Sequence, residues 1–212
     1  MEGRPLASEA AEWTPRTKLG RLVLEGKIVS MEEVFNSGYR IQEPEIVDRL
    51  LPNYKQEVLS MGIIQKQTDA GEQSRFRVVV AVGNEDGFVG VGTGKAKQIR
   101  LAVDKAAMYA KLNITPVRRG CGSWECGCGK PHSIPFRVEG KCGSVRFEII
   151  PGPRGLGLVA NEMAKTILRL AGIKDCWTRS FGSTSTATSL AFAVYDALKK
   201  TYKVVTPQDW VR

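Results

Sequence analysis

The sequence has little of what membrane proteins, secreted proteins and histidine-dependent enzymes require. Its 212 residues contain no apolar run of about 18 residues, the length typical of a membrane-spanning helix. The first residues, Met-Glu-Gly-Arg-Pro, lack the basic and then apolar pattern of a signal peptide, so we expect a cytoplasmic protein without a membrane partner. His132 is the single histidine and no carboxylate pair stands out, which leaves few ways to assemble a catalytic site.

What the chain has instead is an excess of positive charge. The formal net charge is +9, and residues 116–212, with fifteen Lys/Arg and seven Asp/Glu, carry +8 of it. A strongly basic surface attracts anions, and the phosphates of nucleic acid are the most common partner of this kind. A solvated basic surface without any partner is the plainer alternative.

Hydrophobic periodicity predicts the order α-β-β-β-α for the first half of the chain. The predicted elements are a helix over 44–60, a strand over 63–68, a polar loop over 69–74, a hairpin that turns at 84–87, and a helix after Lys95. This is the order of the double-stranded-RNA-binding module, although many small α+β domains share it. Residues 1–40 are interpreted as an N-terminal extension with little regular pattern, which orders on binding, together with a short helical piece at Val34 and Phe35.

The second half predicts the order β-β-α-β-α. Its elements are expected at 136–140, 144–150, 158–170, 175–182 and 184–202. Residues 113–117 are predicted to be a linker. The expected domains are the extension (1–40), the double-stranded-RNA-binding-like domain (41–113), the C-terminal domain (114–205) and a tail (206–212).

The stretch Gly90-Val-Gly-Thr-Gly-Lys95 invites comparison with a nucleotide-binding loop. A P-loop needs four residues between its glycines and Ser or Thr after the lysine, whereas three residues separate Gly90 from Gly94 and Ala96 follows Lys95. We therefore interpret the glycines as allowing a bulge or the close approach of an RNA backbone. Lys95 and Lys97 would attract phosphate at the start of the next helix.

A cluster of cysteines predicts either a metal site or free thiols. The candidate ligands, in the spacing C-x4-C-x-C-x3-H, are Cys121, Cys126, Cys128 and His132. Four soft ligands so close together could close one tetrahedral zinc site, with Cys142 as a spare. The spacing is not that of a standard zinc finger, and unliganded thiols beside a phosphate-contacting histidine are the alternative. A catalytic zinc would need an open position and a base such as Glu125.

Arg154 is the best-placed basic residue of the second half. It lies in the glycine- and proline-rich stretch Pro151-Gly-Pro-Arg-Gly-Leu-Gly157, just before a predicted helix. The backbone amides at such a helix start could hold a phosphate beside the arginine. The alternative is a strand-to-helix turn with a solvated arginine.

Several long motifs together resemble the universal family of small-subunit ribosomal protein number five. They are Arg75-Phe-Arg-Val-Val-Val-Ala-Val-Gly83, Val89-Gly-Val-Gly92, Pro116-Val-Arg-Arg-Gly120, Gly129-Lys-Pro-His132, Pro151-Gly-Pro-Arg-Gly-Leu-Gly157 and Ala171-Gly-Ile-Lys-Asp-Cys176. Thr17-Lys-Leu-Gly-Arg-Leu-Val23 and the segment from Thr201 to Trp210 resemble its archaeal and eukaryotic branch. The cysteine cluster is most similar to the archaeal form, so the resemblance does not imply zinc for the whole family.

The resemblance implies an α+β protein. Its N-terminal domain would be the double-stranded-RNA-binding-like α-β-β-β-α fold. Its C-terminal domain would be a β-β-α-β-α two-layer fold with a left-handed β-α-β crossover, which residue patterns cannot indicate.

The resemblance also implies a structural constituent of the small ribosomal subunit and not an enzyme. It would bind small-subunit ribosomal RNA (rRNA) near the decoding centre and messenger RNA at the entry channel. It would abut ribosomal protein number four and support translational accuracy.

Matching the family residue by residue gives two of the candidate RNA contacts, Arg75 and Arg77. Residues 68–77 correspond to a loop that in bacterial members reaches toward the subunit head, and Glu72 departs from the more basic bacterial loop. The expected contacts are Lys66, Arg75, Arg77, Lys95, Lys97, Arg100, Arg118, Arg119 and Arg154.

Two other functions remain open from the residues themselves. A free double-stranded-RNA-binding regulator would differ from a ribosomal component in copy number. A zinc hydrolase would lose turnover when its metal is removed.

Overall fold

The computed structural model describes residues 13–204, which form six α-helices and eight strands. They belong to two compact units, with the boundary between Pro52 and Asn53. The predicted tail, 206–212, and residues 1–12 of the predicted extension lie outside the described residues. Among the described helices, none combines the length and the apolar character needed to cross a membrane.

Three short helices make up the described part of the first unit. They are α1 (Lys18–Leu24), α2 (Met31–Asn36) and α3 (Pro44–Leu50). Their apolar side chains and those of the connections are buried: Leu19, Val23, Ile28, Met31, Val34, Ile41, Ile46 and Val47. The prediction of little regular structure is therefore wrong over α1, whereas the predicted helical piece at Val34 and Phe35 is confirmed by α2.

Local capping explains where the first two helices begin. The side chain of Thr17 accepts a hydrogen bond from the amide of Gly20 at the start of α1. At the start of α2, Ser30 and Glu33 form a reciprocal capping box. Leu19 and Val23, four positions apart, give α1 its buried side, a short pattern that the polar neighbours obscure in the sequence.

The predicted helix over 44–60 is correct to Leu50 and wrong beyond it. Pro52 follows the helix, and strand β1 (Lys55–Thr68) then pairs with β2 (Gly71–Gly83). Apolar residues up to Met61 continue the helical spacing in the sequence, but the ladder to β2 decides their conformation. The predicted short strand over 63–68 is the end of this 14-residue strand.

The first sheet is antiparallel in the order β1-β2-β3-β4. Its remaining strands are β3 (Phe88–Ala96) and β4 (Thr115–Pro116). Thr68 pairs with Gly71, so the predicted loop over 69–74 is a two-residue turn followed by strand. The predicted linker over 113–117 contributes β4, which pairs with β3 and so becomes the edge of the sheet.

Helix α4 (Ile99–Leu112) lies directly on β3 because that strand presents glycine to it. A Cβ atom at any of three glycines would meet a carbonyl oxygen of α4, and the facing pairs are Gly90 with Ala110 (2.2 Å), Gly92 with Ala106 (2.3 Å) and Gly94 with Ala102 (2.2 Å). The interpretation that these glycines admit an RNA backbone is therefore wrong. The close neighbour is a helix of the same chain.

The second sheet is mixed, in the order β5-β6-β8-β7. Its elements are β5 (Val138–Cys142), β6 (Val145–Pro151), β7 (Leu158–Val159), α5 (Glu162–Leu170), β8 (Cys176–Phe181) and α6 (Ala187–Lys200), followed by a 3₁₀ turn (Thr201–Lys203). Strands β7 and β8 pair in parallel and α5 connects them, as a β-α-β crossover requires. The predicted helix over 158–170 starts late, because Leu158 and Val159 pair with β8 and Asn161 caps α5.

One apolar core joins the two sheets of the second unit. Val79, Ala81, Val89 and Val91 of the first sheet cluster with side chains from α5, α6 and the second sheet. The first sheet is thus covered by α4 on one face and by α5 and α6 on the other. This explains why the five consecutive residues 78–82 of β2 are all buried. The α+β class and the strand-helix order of the two-domain prediction are confirmed, with β7 added.

Candidate nucleic-acid interface and metal centre

Four of the predicted RNA contacts lie on one face of the first sheet. In the antiparallel ladders Arg75 pairs with Ile64, Lys66 with Gln73, and Arg77 with Lys95. Paired residues point to the same side of a sheet, as do residues two apart on one strand. We call the resulting surface the basic face, and its members are Lys66, Arg75, Arg77 and Lys95.

The basic face lies where the sheet narrows to two strands. The β2–β3 ladder ends at the pair Phe76–Ala96, so residues 64–75 form a two-stranded ribbon beyond it. A pocket of about 300 Å³ lies on this face, and its lining is Ile64, Lys66, Gln73, Arg75 and Lys95. Within residues 13–204 no ion pair holds any of the four basic side chains. Their charge therefore remains available to an anion.

The acidic Glu72 lies on the opposite side of the ribbon. It pairs with Gln67, and its Oε2 accepts a hydrogen bond of 2.9 Å from Nε2 of Gln65, which shares that side. Because side chains alternate along a strand, Glu72 and Arg75 point away from each other. Glu72, which departs from the more basic bacterial loop, therefore places no negative charge on the basic face.

Lys97 and Arg100 are exposed at the junction of β3 and α4. Gln98, the residue before α4, makes no side-chain cap, so the first amides of this 14-residue helix have no partner from that residue. A helix start with free amides favours an anion, and both basic side chains flank it.

Arg118 and Arg119 are held by contacts within the chain. The Arg118 guanidinium donates to the carbonyl oxygen of Val204 at 2.7 Å and lies 5.5 Å from the ring centre of Tyr202. Arg119 forms an ion pair with Asp86 in the β2–β3 turn. These partners favour a structural role for both arginines, which sequence reasoning could not separate from the other basic residues.

The four candidate metal ligands come together in the short segment of chain that connects the first sheet to the second sheet. Gly120 and Ser133 pair as an isolated bridge and close the base of this segment, residues 121–132. The ligand atoms of Cys121, Cys126, Cys128 and His132 all lie within 4.8 Å of one another. Cys142, the predicted spare ligand, lies at the end of β5 and is not part of this group.

The spacing of the ligand atoms fits a tetrahedral ion. Tetrahedral zinc with Zn–S bonds of about 2.3 Å places its sulfurs about 3.8 Å apart. The Sγ atoms of Cys121 and Cys128 are 3.6 Å apart, and Sγ of Cys126 is 3.8 Å from Nε2 of His132. All four ligands are therefore close enough to share one ion without rearrangement of the backbone.

The thiols of the cluster differ in acidity. The amide N–H groups of Arg154 and Cys128 lower the pKa of the Cys126 thiol to about 6, whereas desolvation raises the pKa of the Cys121 thiol. A deprotonated cysteine is the form that binds a metal. Cys126 is thus the ligand best prepared to receive an ion at neutral pH.

A buried aspartate behind His132 completes the site and was missed by sequence reasoning. Oδ2 of Asp175 lies 2.9 Å from Nδ1 of His132, while its Oδ1 accepts hydrogen bonds from the amides of Gly155 (3.1 Å) and Gly157 (2.8 Å). A carboxylate in this position orients a metal-ligating histidine and fixes its tautomer. Asp175 is 43 residues from His132, so no local spacing connects them.

Comparison with known proteins identifies the family. The family described as "Ribosomal protein S5, N-terminal domain" matches residues 54–118, and "Ribosomal protein S5, C-terminal domain" matches residues 140–210. The chain belongs to the ribosomal S5 family.

Archaeal members of the ribosomal S5 family resemble the chain over most of its length. A protein of Thermofilum pendens named "Small ribosomal subunit protein uS5" is 64% identical over 201 residues, which cover 95% of this chain and all of that protein. A protein of the same name from Staphylothermus marinus is 62% identical, with 96% of each chain covered. The predicted family is confirmed, and a structural role in the small subunit is supported.

The two matched ranges leave the metal segment between them. The N-terminal range includes the basic face, and the C-terminal range includes Asp175 and the stretch from Gly152 to Gly157. Residues 119–139, with all four candidate ligands, fall outside both ranges.

Proposed function

We propose that this chain is a non-catalytic constituent of the small ribosomal subunit in the cytoplasm and binds small-subunit rRNA through the basic face. The observation that supports this best is that Lys66, Arg75, Arg77 and Lys95 share one side of the first sheet, where the sheet narrows from three strands to two, with no acidic partner. Lys97, Arg100 and Arg154 extend the contact. The resemblance adds a position near the decoding centre, contacts to messenger RNA and ribosomal protein number four, and a role in accuracy.

Phosphate contact explains why a face of this kind binds RNA. Side chains two apart on a strand lie about 7 Å from each other, and neighbouring strands are about 4.8 Å apart, so the four charges form a compact cluster. Each phosphate that such a charge neutralises releases a counterion. Three or four contacts therefore make binding fall steeply as the salt concentration rises.

The test is the salt dependence of binding to transcribed archaeal small-subunit rRNA. Replacing Lys66, Arg75 and Lys95 together by alanine should lower the slope of log K against log salt by roughly 2–3 units. Lys105→Ala, an exposed charge on α4, removes equivalent charge per residue and should leave the slope nearly unchanged. Equal losses per charge in both variants would contradict the basic face as the RNA site.

A second measurement separates a ribosomal component from a free regulator. The tagged chain should sediment with small subunits in one copy each through moderate salt. Equal affinity for unrelated duplex RNA, with most of the chain free of ribosomes, would favour the regulator.

We also propose that Cys121, Cys126, Cys128 and His132 hold one structural zinc ion. Support comes from four ligand atoms within 4.8 Å of one another and from Asp175 behind His132. Four protein ligands fill a tetrahedral ion and leave no open position, which is typical of structural and not catalytic sites.

Metal analysis of the purified full chain tests the zinc site. We expect one zinc per chain, and Cys126→Ser should reduce that content strongly, whereas Cys142→Ser should not. Full zinc content in Cys126→Ser, or loss in Cys142→Ser, would contradict the ligand set.

A further inference from the structure

The stretch from Gly152 to Gly157, which we call the Arg154 loop, is held by hydrogen bonds to side chains that adjoin the candidate ligand His132. The amide of Gly152 donates to Oγ of Ser133, the residue after His132, at 3.2 Å. The amides of Gly155 and Gly157 both donate to Oδ1 of Asp175. Three of the five amides that the loop possesses are therefore held by side chains that touch or adjoin His132.

Two main-chain hydrogen bonds also restrain the loop: the amide of Leu156 donates to the carbonyl oxygen of Pro153 at 3.3 Å, and the amide of Cys176 donates to that of Gly157 at 3.2 Å. Gly155 and Gly157 adopt φ angles of +90° and +77°, in the left-handed region. Glycine adopts positive φ about as readily as negative φ, so this conformation is allowed but not favoured by the residue itself. Arg154 and Gly155 are exposed, so burial does not restrain the tip of the loop. The side chains of Ser133 and Asp175 thus hold more of the loop's amides than its own main chain does.

Asp175 connects the ion to the loop by using both carboxylate oxygens. A metal at Nε2 of His132 requires the ring proton on Nδ1, which then donates to Oδ2 of Asp175. Oδ1 remains free to accept the two glycine amides, and Asp175 itself is buried. An ion that holds the imidazole in place therefore also holds the acceptor of the loop.

We propose that metal binding at the Cys/His cluster orders the Arg154 loop through Asp175, so that the metal determines how Arg154 is presented to RNA. The inference rests on the proposed zinc site and extends it. Asp175 is a positioning residue, because it acts on RNA binding through His132 and the loop. The metal segment, although outside both family-matched ranges, thereby controls a loop inside the C-terminal one.

The variant Asp175→Asn tests the coupling, because an asparagine side chain cannot accept hydrogen bonds from both His132 and the two glycine amides. If its oxygen accepts from the glycine amides, its NH₂ group faces the protonated Nδ1 of His132. If the amide group flips, the NH₂ group faces the two glycine N–H groups. The matched control is Glu125→Gln, which removes the same charge from an exposed residue of the metal segment.

The first experiment is amide hydrogen exchange on the full chain, zinc-loaded and after chelation under reducing conditions. Zinc removal should speed exchange in the peptide that covers the Arg154 loop by roughly tenfold or more, because charge-assisted hydrogen bonds are lost. Exchange in α4 should change much less. Asp175→Asn should weaken zinc binding by about 10–100-fold, the usual effect of a lost partner behind a histidine ligand, and Glu125→Gln should not.

The second experiment asks whether the metal and Arg154 act on RNA as one unit. Binding to archaeal small-subunit rRNA is measured for the wild type and Arg154→Ala, each with and without zinc. Zinc removal should lower the affinity of the wild type and have little further effect on Arg154→Ala, which is the non-additivity expected of coupled groups.

The outcomes separate this inference from the zinc proposal. One bound zinc whose removal leaves loop exchange and RNA affinity unchanged would overturn the coupling and leave the zinc site standing. Absence of bound zinc in the wild type would overturn both. The wild-type comparison with and without zinc decides the matter even if Asp175→Asn does not fold.

Discussion

The glycine stripe of β3 predicts that Gly92→Ala is strongly destabilising. The new Cβ would lie 2.3 Å from the carbonyl oxygen of Ala106 and 2.3 Å from the amide nitrogen of Ala110. Ordinary contacts begin at 3.4 Å, so the overlap is 3.4 − 2.3 = 1.1 Å against main-chain atoms of α4. These atoms cannot rotate away as a side chain could, and the whole helix must move by about 1 Å.

The magnitude follows from the known cost of overpacking. Extra methyl groups in a packed core typically cost about 1–3 kcal/mol, and two rigid contacts favour the upper end. Gly62→Ala on β1 is the matched control, because nothing lies within 4 Å of its Cβ position. That substitution should be neutral or stabilise by up to about 1 kcal/mol, since alanine has less freedom in the unfolded chain.

Guanidinium chloride unfolding of the zinc-loaded chain measures the difference. We expect Gly92→Ala to be less stable than Gly62→Ala by about 3 kcal/mol, a substantial part of the 5–15 kcal/mol typical of folded proteins. Equal unfolding free energies for the two variants would refute the reasoning. They would mean that α4 can lift from β3 at negligible cost.

Two further predictions follow from the second sheet and the cysteines. Gly140→Ala should also destabilise, because its Cβ would lie 2.1 Å from the carbonyl oxygen of Ala193 in α6, and the same unfolding assay with Gly62→Ala as reference measures this. In the metal-free chain, iodoacetamide should modify Cys126 at a rate that rises with pH through about 6 and then levels off, since the thiolate is the reactive form and the pKa is lowered to about 6. Cys176 should stay unmodified at pH 8, because burial raises the pKa of its thiol to about 12, and a midpoint near pH 9 for Cys126 would contradict the assignment.

The shared side of Arg75 and Arg77 could be predicted because its signal is local, whereas the ladders that bring Lys66 and Lys95 to that side could not. Alternation of side chains over residues 75–82 indicates a strand, and basic residues at two-residue spacing then share a side. The conformation of residues 55–61 could not be predicted in the same way. Their apolar spacing continues the helical pattern of residues 44–50, and the long ladder to β2, which no local pattern reveals, makes them strand.

The candidate metal ligands could likewise be predicted from a local pattern, whereas Asp175 could not. Four ligands within twelve residues identify the cluster from the sequence alone. Asp175 could not be found, because the fold brings it to His132 across 43 residues. The three glycines of β3 were misread for a related reason. Glycine in a strand indicates that another group approaches the backbone closely, but the sequence does not show whether that group is RNA or α4.

The burial of residues 78–82 of β2 on both sides has a consequence for how the chain is made. α4 can cover one side soon after synthesis of the first sheet, but the valines on the other side wait for α5 and α6. α6 ends at Lys200, so roughly 5–20 s of translation separate β3 from its last cover at typical rates. During that interval the nascent chain carries an uncovered apolar sheet, and the two halves that the family descriptions separate must finish folding together.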